Sequence, residues 1–346
     1  MRSVRMLSVV GCHAEGEVGD VIIGGGPIPR GATMFERMQA MERDHDGLRR
    51  LLLCEPRGSV CRHVNLLTPP VDPACDAGVI IMEPTEYVPM SGSNLICTVT
   101  VLLEMGIVPM KEPETIVMVD TPAGPVRAVA ECRDGKCRSV EFRNVPSFVD
   151  RLDAHVEVEG LGTVRLDVAY GGMFYALVDA SLLGFGIHPS EARELAVLGE
   201  KIRLAARQQL EVVHPENPAI SGVSIVQFNL PFRAAGEAAR NTCIVAPGRS
   251  DRSPTGTGTC ARMAVLHARG LMRVNDTIIH ESIIGSRFVG RIEATATVAG
   301  RAAVVPSIRG RAWITGLHNY LLDPEDPYPE GYVVGDSWGV TGTLVQ

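Results

Sequence analysis

Residues 91–106 read Ser91-Gly92-Ser93-Asn94-Leu95-Ile96-Cys97-Thr98-Val99-Thr100-Val101-Leu102-Leu103-Glu104-Met105-Gly106. Residues 255–270 read Thr255-Gly256-Thr257-Gly258-Thr259-Cys260-Ala261-Arg262-Met263-Ala264-Val265-Leu266-His267-Ala268-Arg269-Gly270. Each stretch opens on hydroxyl, glycine, hydroxyl, continues through an apolar run of helical length and stops at a glycine, the residue that most readily ends a helix. The spacing agrees at both ends, since 255 − 91 and 270 − 106 are both 164. A β-branched run follows each helix, Thr115-Ile116-Val117 after the first and Thr277-Ile278-Ile279 after the second, with the spacing shortened by two residues. The chain therefore reads as two copies of one plan in which strands and helices mix.

At 346 residues the chain exceeds what one hydrophobic core usually holds. Two domains are expected, at 1–160 and 161–319, with the segment 320–346 returning to the first. Apolar residues at 45% and charged residues at 21% exclude a disordered or fibrous chain. A net charge of −7 offers no basic stripe for a phosphate backbone, which argues against nucleic acid and for a small-molecule partner. The nine cysteines are odd in number and scattered, unlike a secreted disulfide framework, so free thiols in the cytoplasm are expected. No stretch approaches the roughly 20 apolar residues of a membrane span, and Met6-Leu7-Ser8-Val9-Val10 is too short for a signal segment.

Outside the repeat, short Val- and Ile-rich runs such as Val79 to Met82, Val126 to Ala130 and Ser139 to Phe142 read as strands. Asp134-Gly135 between the last two favours the positive φ angles of a hairpin turn, so the sheet is at least partly antiparallel. Thr33-Met34-Phe35-Glu36 has the spacing of a capping box and opens a helix that continues towards Leu53 with a break near Asp46-Gly47. A further helix, about Ser190 to Leu210, carries Leu195, Leu198, Ile202 and Ala205 at helical spacing and reads as a surface helix on a sheet.

The two repeated helix starts carry the chemistry. A helix N-terminus has unpaired amides and the positive end of the helix dipole, and glycine lets an anion approach them closely. Two such starts meeting across a cleft would cradle one small carboxylate, and donors that strengthen as negative charge grows suit chemistry at an α-carbon. The plainer reading is that Ser91 and Thr255 merely cap their helices.

Met90-Ser91-Gly92-Ser93-Asn94 and Asp251-Arg252-Ser253-Pro254-Thr255-Gly256-Thr257-Gly258-Thr259 resemble the paired active-site motifs of the proline racemase superfamily. So do His13-Ala14-Glu15-Gly16-Glu17, Glu55-Pro56-Arg57-Gly58 and Tyr170-Gly171-Gly172-Met173-Phe174-Tyr175-Ala176, and the match runs through nearly the whole chain in order. The resemblance implies an α/β (α+β) fold of two pseudo-symmetric domains of the proline racemase and diaminopimelate epimerase type, with the active site in the interdomain cleft. It also implies no cofactor, proline or hydroxyproline as substrate, and a homodimer.

Racemases and epimerases of that family place a cysteine at each motif position; here Ser91 and Thr255 stand there, and Ser93 takes a place commonly held by histidine. A hydroxyl is far less acidic than a thiol with its ordinary pKa near 8.5, so inversion of the α-carbon is disfavoured. Elimination asks for less, and the branch similar to trans-3-hydroxy-L-proline dehydratase carries threonine at the second position. The resemblance therefore implies a hydro-lyase that converts trans-3-hydroxy-L-proline to Δ1-pyrroline-2-carboxylate. Ser91 occupies the base position and Thr255 steadies the leaving hydroxyl. Gly92, Ser93, Gly256 and Thr257 supply donors to the carboxylate, and Asp251 pairs with the ring ammonium. The alternatives are a 4-hydroxyproline epimerase or proline racemase, and a hydroxyproline-binding homologue without turnover.

Cys97 and Cys260 lie inside the two helices and read as core thiols, and Cys54, Cys61 and His63 lack the paired spacings of a zinc site. No metal is expected. Gly24-Gly25-Gly26 lacks the Gly-Lys-Ser/Thr of a phosphate loop, there is no Gly-x-Ser-x-Gly elbow, and His13, though part of a family landmark, reads at least as well as a satisfied structural histidine.

Overall fold

The computed structural model describes residues 5–335, 337 and 338. In chain order the elements are β1 (Arg5–Ala14), β2 (Glu17–Gly24), α1 (Met34–His45), α2 (Gly47–Leu53), β3 (Arg62–Thr68), β4 (Ala77–Met82), β5 (Tyr87–Val88), α3 (Gly92–Glu104), β6 (Glu114–Thr121), β7 (Gly124–Arg133) and β8 (Lys136–Arg143). There follow β9 (Ser147–Val158), β10 (Gly162–Tyr170), β11 (Phe174–Asp179), α4 (Ala192–Gln209), β12 (Ile225–Asn229), β13 (Ala238–Val245), β14 (Arg249–Ser250), α5 (Gly256–Ala268), β15 (Thr277–Glu281), β16 (Arg287–Val298), β17 (Arg301–Gly310) and β18 (Ala312–Leu322).

The chain divides into two units, one holding residues to Phe142 together with Gly310–Trp338, the other holding Arg143–Arg309. The divisions therefore fall earlier than the expected 160/161 and 319/320. The reason is strand pairing: β9 forms a hairpin with β10, Val158 opposite Gly162, and so belongs to the second unit. In the same way β18 runs antiparallel to β1 from Ala312 opposite Ala14 to Leu322 opposite Arg5, which returns it to the first.

Each unit repeats one strand order. In the first it is β18, β1, β2, β3, β4, β6, β7, β8, with β5 folded back on β4. In the second it is β9, β10, β11, β12, β13, β15, β16, β17, with β14 folded back on β13 and a short β17–β9 pairing that joins the two ends. Two pairs in each order are parallel, β2–β3 and β4–β6, then β11–β12 and β13–β15. Parallel neighbours need a crossover, and the helices supply it. Helices α1 and α2 bridge the first pair and α4 its counterpart, while α3 and α5 bridge the second pairs.

The two kinds of crossover helix differ in composition, and the difference sets their place. Helices α1 and α2 bury one apolar stripe, Met34, Met38, Met41, Leu48, Leu51 and Leu52, against Leu7, Ile22, Leu66 and Ile80 of the sheet. Helix α4 does the same with Leu195, Ile202 and Ala206 against Val226, Phe228 and Ile244. Helices α3 and α5 are apolar nearly all round, and such a helix has to be enclosed. Every residue from Gly92 to Leu103 and from Gly256 to Leu266 is buried. The strands around α3 are β1, β2, β3, β7 and β18, and those around α5 are β9, β10, β11 and β16, counterparts in the shared order.

The repeat read from the sequence holds residue by residue: both inner helices have 13 residues, and 256 − 92 and 268 − 104 are again 164. Gly106 and Gly270 end them with φ of 70° and 73°. Thr33 caps α1 by accepting the Glu36 amide at 3.1 Å, and the Asp134-Gly135 turn has φ of 57° and 69° between Arg133 and Lys136, as its hairpin type requires. Among the described residues no helix is long and apolar enough to cross a membrane.

The β10–β11 turn shows how closely α5 is held. A Cβ at Gly171 would stand 2.2 Å from the Thr257 carbonyl oxygen and 2.6 Å from the Ala261 amide nitrogen, both backbone atoms that cannot step aside. Gly171→Ala is expected to lower unfolding free energy by about 2–3 kcal/mol, read as a shift of the urea midpoint; an unchanged midpoint would show that the helix does not pack against this turn.

Candidate active site

In the first unit, β5 leads through Pro89 and Met90 into Ser91, the N-cap of α3, whose backbone is extended at φ −148°. A serine in this place ordinarily accepts a hydrogen bond from an amide of the first turn. Here its side chain makes no such bond. Ser91 Oγ accepts instead from Asn94 Nδ2 at 2.9 Å, and the same nitrogen lies 3.0 Å from His63 Nδ1.

The direction of these bonds is fixed from a backbone carbonyl outward. Asn65 Nδ2 lies 3.2 Å from the Asp20 carbonyl, which can only accept, and 2.9 Å from Asn94 Oδ1. That orients the Asn94 amide, with oxygen towards Asn65 and nitrogen towards Ser91 and His63. His63 Nδ1 is then an acceptor, and its Nε2 faces Glu17 Oε1 at 3.5 Å and Glu83 Oε2 at 3.9 Å. Ser91 Oγ is thus a hydroxyl that receives a donor and keeps its own proton to give.

The second unit shows the opposite polarity. Thr255 Oγ1 donates to Asp251 Oδ2 at 2.7 Å, while Asp251 Oδ1 accepts from the Ser253 amide at 2.8 Å and the Ser253 hydroxyl at 3.0 Å. Thr255 also makes no side-chain cap, and its backbone stands at φ 65° and ψ 111°. For a β-branched residue that is a strained conformation, costing about 1–3 kcal/mol and typical of functional sites. In the first turn of α5, Thr257 turns its hydroxyl to Tyr175 Oη at 2.6 Å. Neither hydroxyl therefore caps its helix in the way the plainer reading of the sequence expects; each has a different side-chain partner.

Within the first unit the residues singled out by sequence, Ser91, Gly92 and Ser93, sit together at the buried start of α3; within the second, Asp251, Thr255, Gly256 and Thr257 do so at the start of α5. The cysteines near them are not nucleophiles. Burial pushes the Cys260 thiol up to about 12 and the Cys97 thiol well above its usual range. Cys243, whose carbonyl accepts the Asp251 amide at 2.8 Å, is likewise held protonated by burial and then by the Asp251 charge. At neutral pH such thiols carry negligible thiolate. His13 plays a structural part, since its Nδ1 accepts the Gly16 amide at 3.1 Å and its ring stacks on Trp313 at 5.2 Å. Among the described residues no group of three or more His, Cys, Asp or Glu side chains is arranged to hold a metal ion.

Several residues of these networks carry no motif that would single them out in the sequence. His63 and Asn65 stand two apart, on one face of β3, and His280 is buried in β15. Buried polar residues at strand spacing are the available signal. Asn94, one turn beyond Ser91, reads in the sequence only as part of the motif.

The comparisons agree with this architecture. A family model described as proline racemase matches residues 9–333. The chain belongs to the proline racemase family. A hydroxyproline epimerase from Agrobacterium vitis, solved with bound trans-4-hydroxy-L-proline, is 46% identical over 98% of this chain and 98% of that one, with a TM-score of 0.91. A probable proline racemase from Agrobacterium radiobacter K84, solved with bound carbonate, is 45% identical over 96% of this chain and 98% of that one, with a TM-score of 0.90. A PhzF-family phenazine biosynthesis protein from Bacillus anthracis shares the fold alone, at 12% identity over 92% of this chain and 100% of that one and a TM-score of 0.56.

His280, wholly buried in the second unit, yields a pH prediction. Burial first and the Arg262 charge second hold its pKa well below the ordinary 6.5, so the folded protein keeps it neutral. Below about pH 6.5 the unfolded chain binds a proton that the folded chain refuses; the stability this residue contributes is complete above that pH and falls as the pH drops. Urea midpoints between about pH 7.5 and about pH 5.5 are expected to fall less steeply in His280→Gln than in the parent. Parallel slopes would show that His280 titrates alike in both states.

Proposed function

We propose that this chain acts on a free hydroxyproline, whose carboxylate its buried helix starts are suited to bind. The first-turn amides at Gly92 and Ser93, and at Gly256 and Thr257, bind its carboxylate, because buried helix N-termini favour an anion and strengthen as charge grows on it. Asp251, bonded to the Thr255 hydroxyl, is the proposed partner of the ring ammonium.

The observation that carries the choice of reaction is the opposite hydrogen-bond polarity of the two hydroxyls. Thr255 is bonded to a carboxylate that can take its proton, so Thr255 with Asp251 is the proton-accepting side. Ser91 is bonded to an amide donor and retains its proton, so it is the proton-giving side. This exchanges the roles that the motif positions alone suggested. Racemisation needs two groups that trade acid and base roles, whereas elimination needs one of each.

On this reading the α-proton of trans-3-hydroxy-L-proline passes to Thr255 Oγ1 as the Thr255 proton passes to Asp251. The C–H electron pair becomes the ring double bond, the C3–O bond breaks, and the departing hydroxyl takes the Ser91 proton and leaves as water. The enamine tautomerises to Δ1-pyrroline-2-carboxylate, and the protein's protons re-equilibrate through solvent. The chain is then a cofactor-independent hydro-lyase.

A second reading has its own support. The Agrobacterium vitis relative, 46% identical, is a hydroxyproline epimerase, and epimerisation of 4-hydroxyproline begins with the same α-proton removal. One panel of proline, 3-hydroxyproline and 4-hydroxyproline in D2O separates the two. Dehydration yields a pyrroline from the 3-hydroxy isomer; epimerisation yields the opposite α-epimer carrying deuterium; binding without either leaves a hydroxyproline-binding homologue.

Asp251→Asn removes the proton acceptor while keeping the shape of the loop. It is expected to lower kcat for α-proton removal by about 10²–10⁴-fold, measured as α-deuterium incorporation or pyrroline formation. Full activity in that variant would remove Asp251 and Thr255 from the base side.

A further inference from the structure

The strained backbone of Thr255 has a support that its unstrained counterpart lacks. Thr255 O accepts the ordinary helical bond from the Thr259 amide at 2.9 Å and a second bond from the Thr259 hydroxyl at 2.7 Å. Ser91 O accepts from the Leu95 amide at 3.0 Å. The counterpart of Thr259, at 259 − 164 = 95, is that leucine, which has no side-chain donor, and the counterpart of Arg262, at 262 − 164 = 98, is Thr98. The extra bond occurs in the half where φ is 65° and not in the half where it is −148°.

The donor of that extra bond is itself held in one direction. Arg262 has donors only. Its Nη1 lies 2.9 Å from His280 Nε2, so that nitrogen carries no proton, and its Nη2 donates to the Leu230 carbonyl at 2.6 Å. His280, wholly buried and facing the Arg262 charge, is neutral, so its proton is on Nδ1. Nδ1 lies 2.6 Å from Thr259 Oγ1 and donates to it, which leaves the Thr259 proton for a backbone carbonyl, that of Thr255 at 2.7 Å rather than that of Pro254 at 3.5 Å. No other order of donors satisfies all three contacts.

We propose that Arg262, His280 and Thr259 are positioning residues: a one-way relay of hydrogen bonds from α5 to β15 and back that fixes the Thr255 carbonyl, and through it the strained backbone that aims the Thr255 hydroxyl at Asp251. The relay rests on the reading of Thr255 as the proton-accepting hydroxyl, and it adds three residues that touch neither substrate nor Asp251.

The first test needs no substrate. In unliganded, ¹⁵N-histidine-labelled protein, His280 is expected as the Nδ1–H tautomer, unchanged between about pH 8 and about pH 5.5; an Nε2–H tautomer or an imidazolium in that range overturns the relay. The second compares Thr259→Val with Thr259→Ser on whichever hydroxyproline the parent turns over. Thr259→Val is expected to lose about 10- to 100-fold in kcat with little change in KM, because a small misplacement of a reacting group costs that much, and Thr259→Ser to recover most of it. A Thr259→Val protein that melts earlier yet keeps its kcat would show a merely structural contact and overturn the proposal. Should Thr259→Val not fold, the tautomer of the parent protein decides. A parent that turns over no hydroxyproline refutes the functional reading, and the tautomer still judges the relay.

Discussion

The rest of the structure depends on a helix with no face for water. Once a 13-residue segment is apolar all round, as α3 and α5 are, a sheet has to wrap it. Wrapping buries the first turn as well, and the amides of a first turn have no partners within the helix. An N-cap hydroxyl would ordinarily satisfy one of them. In neither unit does it, because each hydroxyl is engaged by another side chain. Burial without a cap is costly for a fold and suits a site, because uncapped first-turn amides favour an anion.

Both units meet this constraint with the same backbone and different chemistry, and packing explains why the first solution cannot be copied into the second. Asn94 reaches back from the helix to Ser91. The corresponding position, at 94 + 164, is Gly258, where a Cβ would stand 2.2 Å from Gln227 Oε1 and 3.2 Å from Cys243 Sγ. A side chain there would displace a buried amide and a buried thiol. The second unit therefore engages its hydroxyl from the other direction, from the loop before the helix, and the residue that reaches it is a carboxylate. The difference in polarity between the two hydroxyls follows from which side of the N-cap has room.

The repeat was legible in the sequence because the properties that define it are local: hydroxyl-glycine starts, an uninterrupted apolar run, and a terminal glycine forced to positive φ. The inner and outer helices could be told apart by composition for the same reason. The domain limits were less legible because β9 and β18 are long strands whose sequences do not say which neighbour they will pair with; their register against β10 and β1 decides it. The polar networks were least legible. His63, Asn65 and His280 are buried polar residues within strands, and only folded distances show that each faces the start of an inner helix or its support. The motif named Ser91 and Thr255, but the bond to the Ser91 hydroxyl is oriented from an Asp20 carbonyl, and the bond to the Thr255 carbonyl from Arg262, neither adjacent in sequence.

The strain at Thr255 falls on one half, and that placement bears on function. Glycine would adopt φ 65° without cost, and serine, lacking the β-branch, would be less crowded than threonine. Ser91 shows that an unstrained N-cap hydroxyl is available to this architecture at φ −148°. An energetically poor choice held by a buried arginine, a neutral histidine and a second hydroxyl is coherent where the position of the hydroxyl matters more than stability. The strained residue is also the one bonded to a carboxylate, so the strain and the Asp251 bond fall on the same side chain. Ser91 carries no such strain: its backbone is extended and one amide donor engages its hydroxyl.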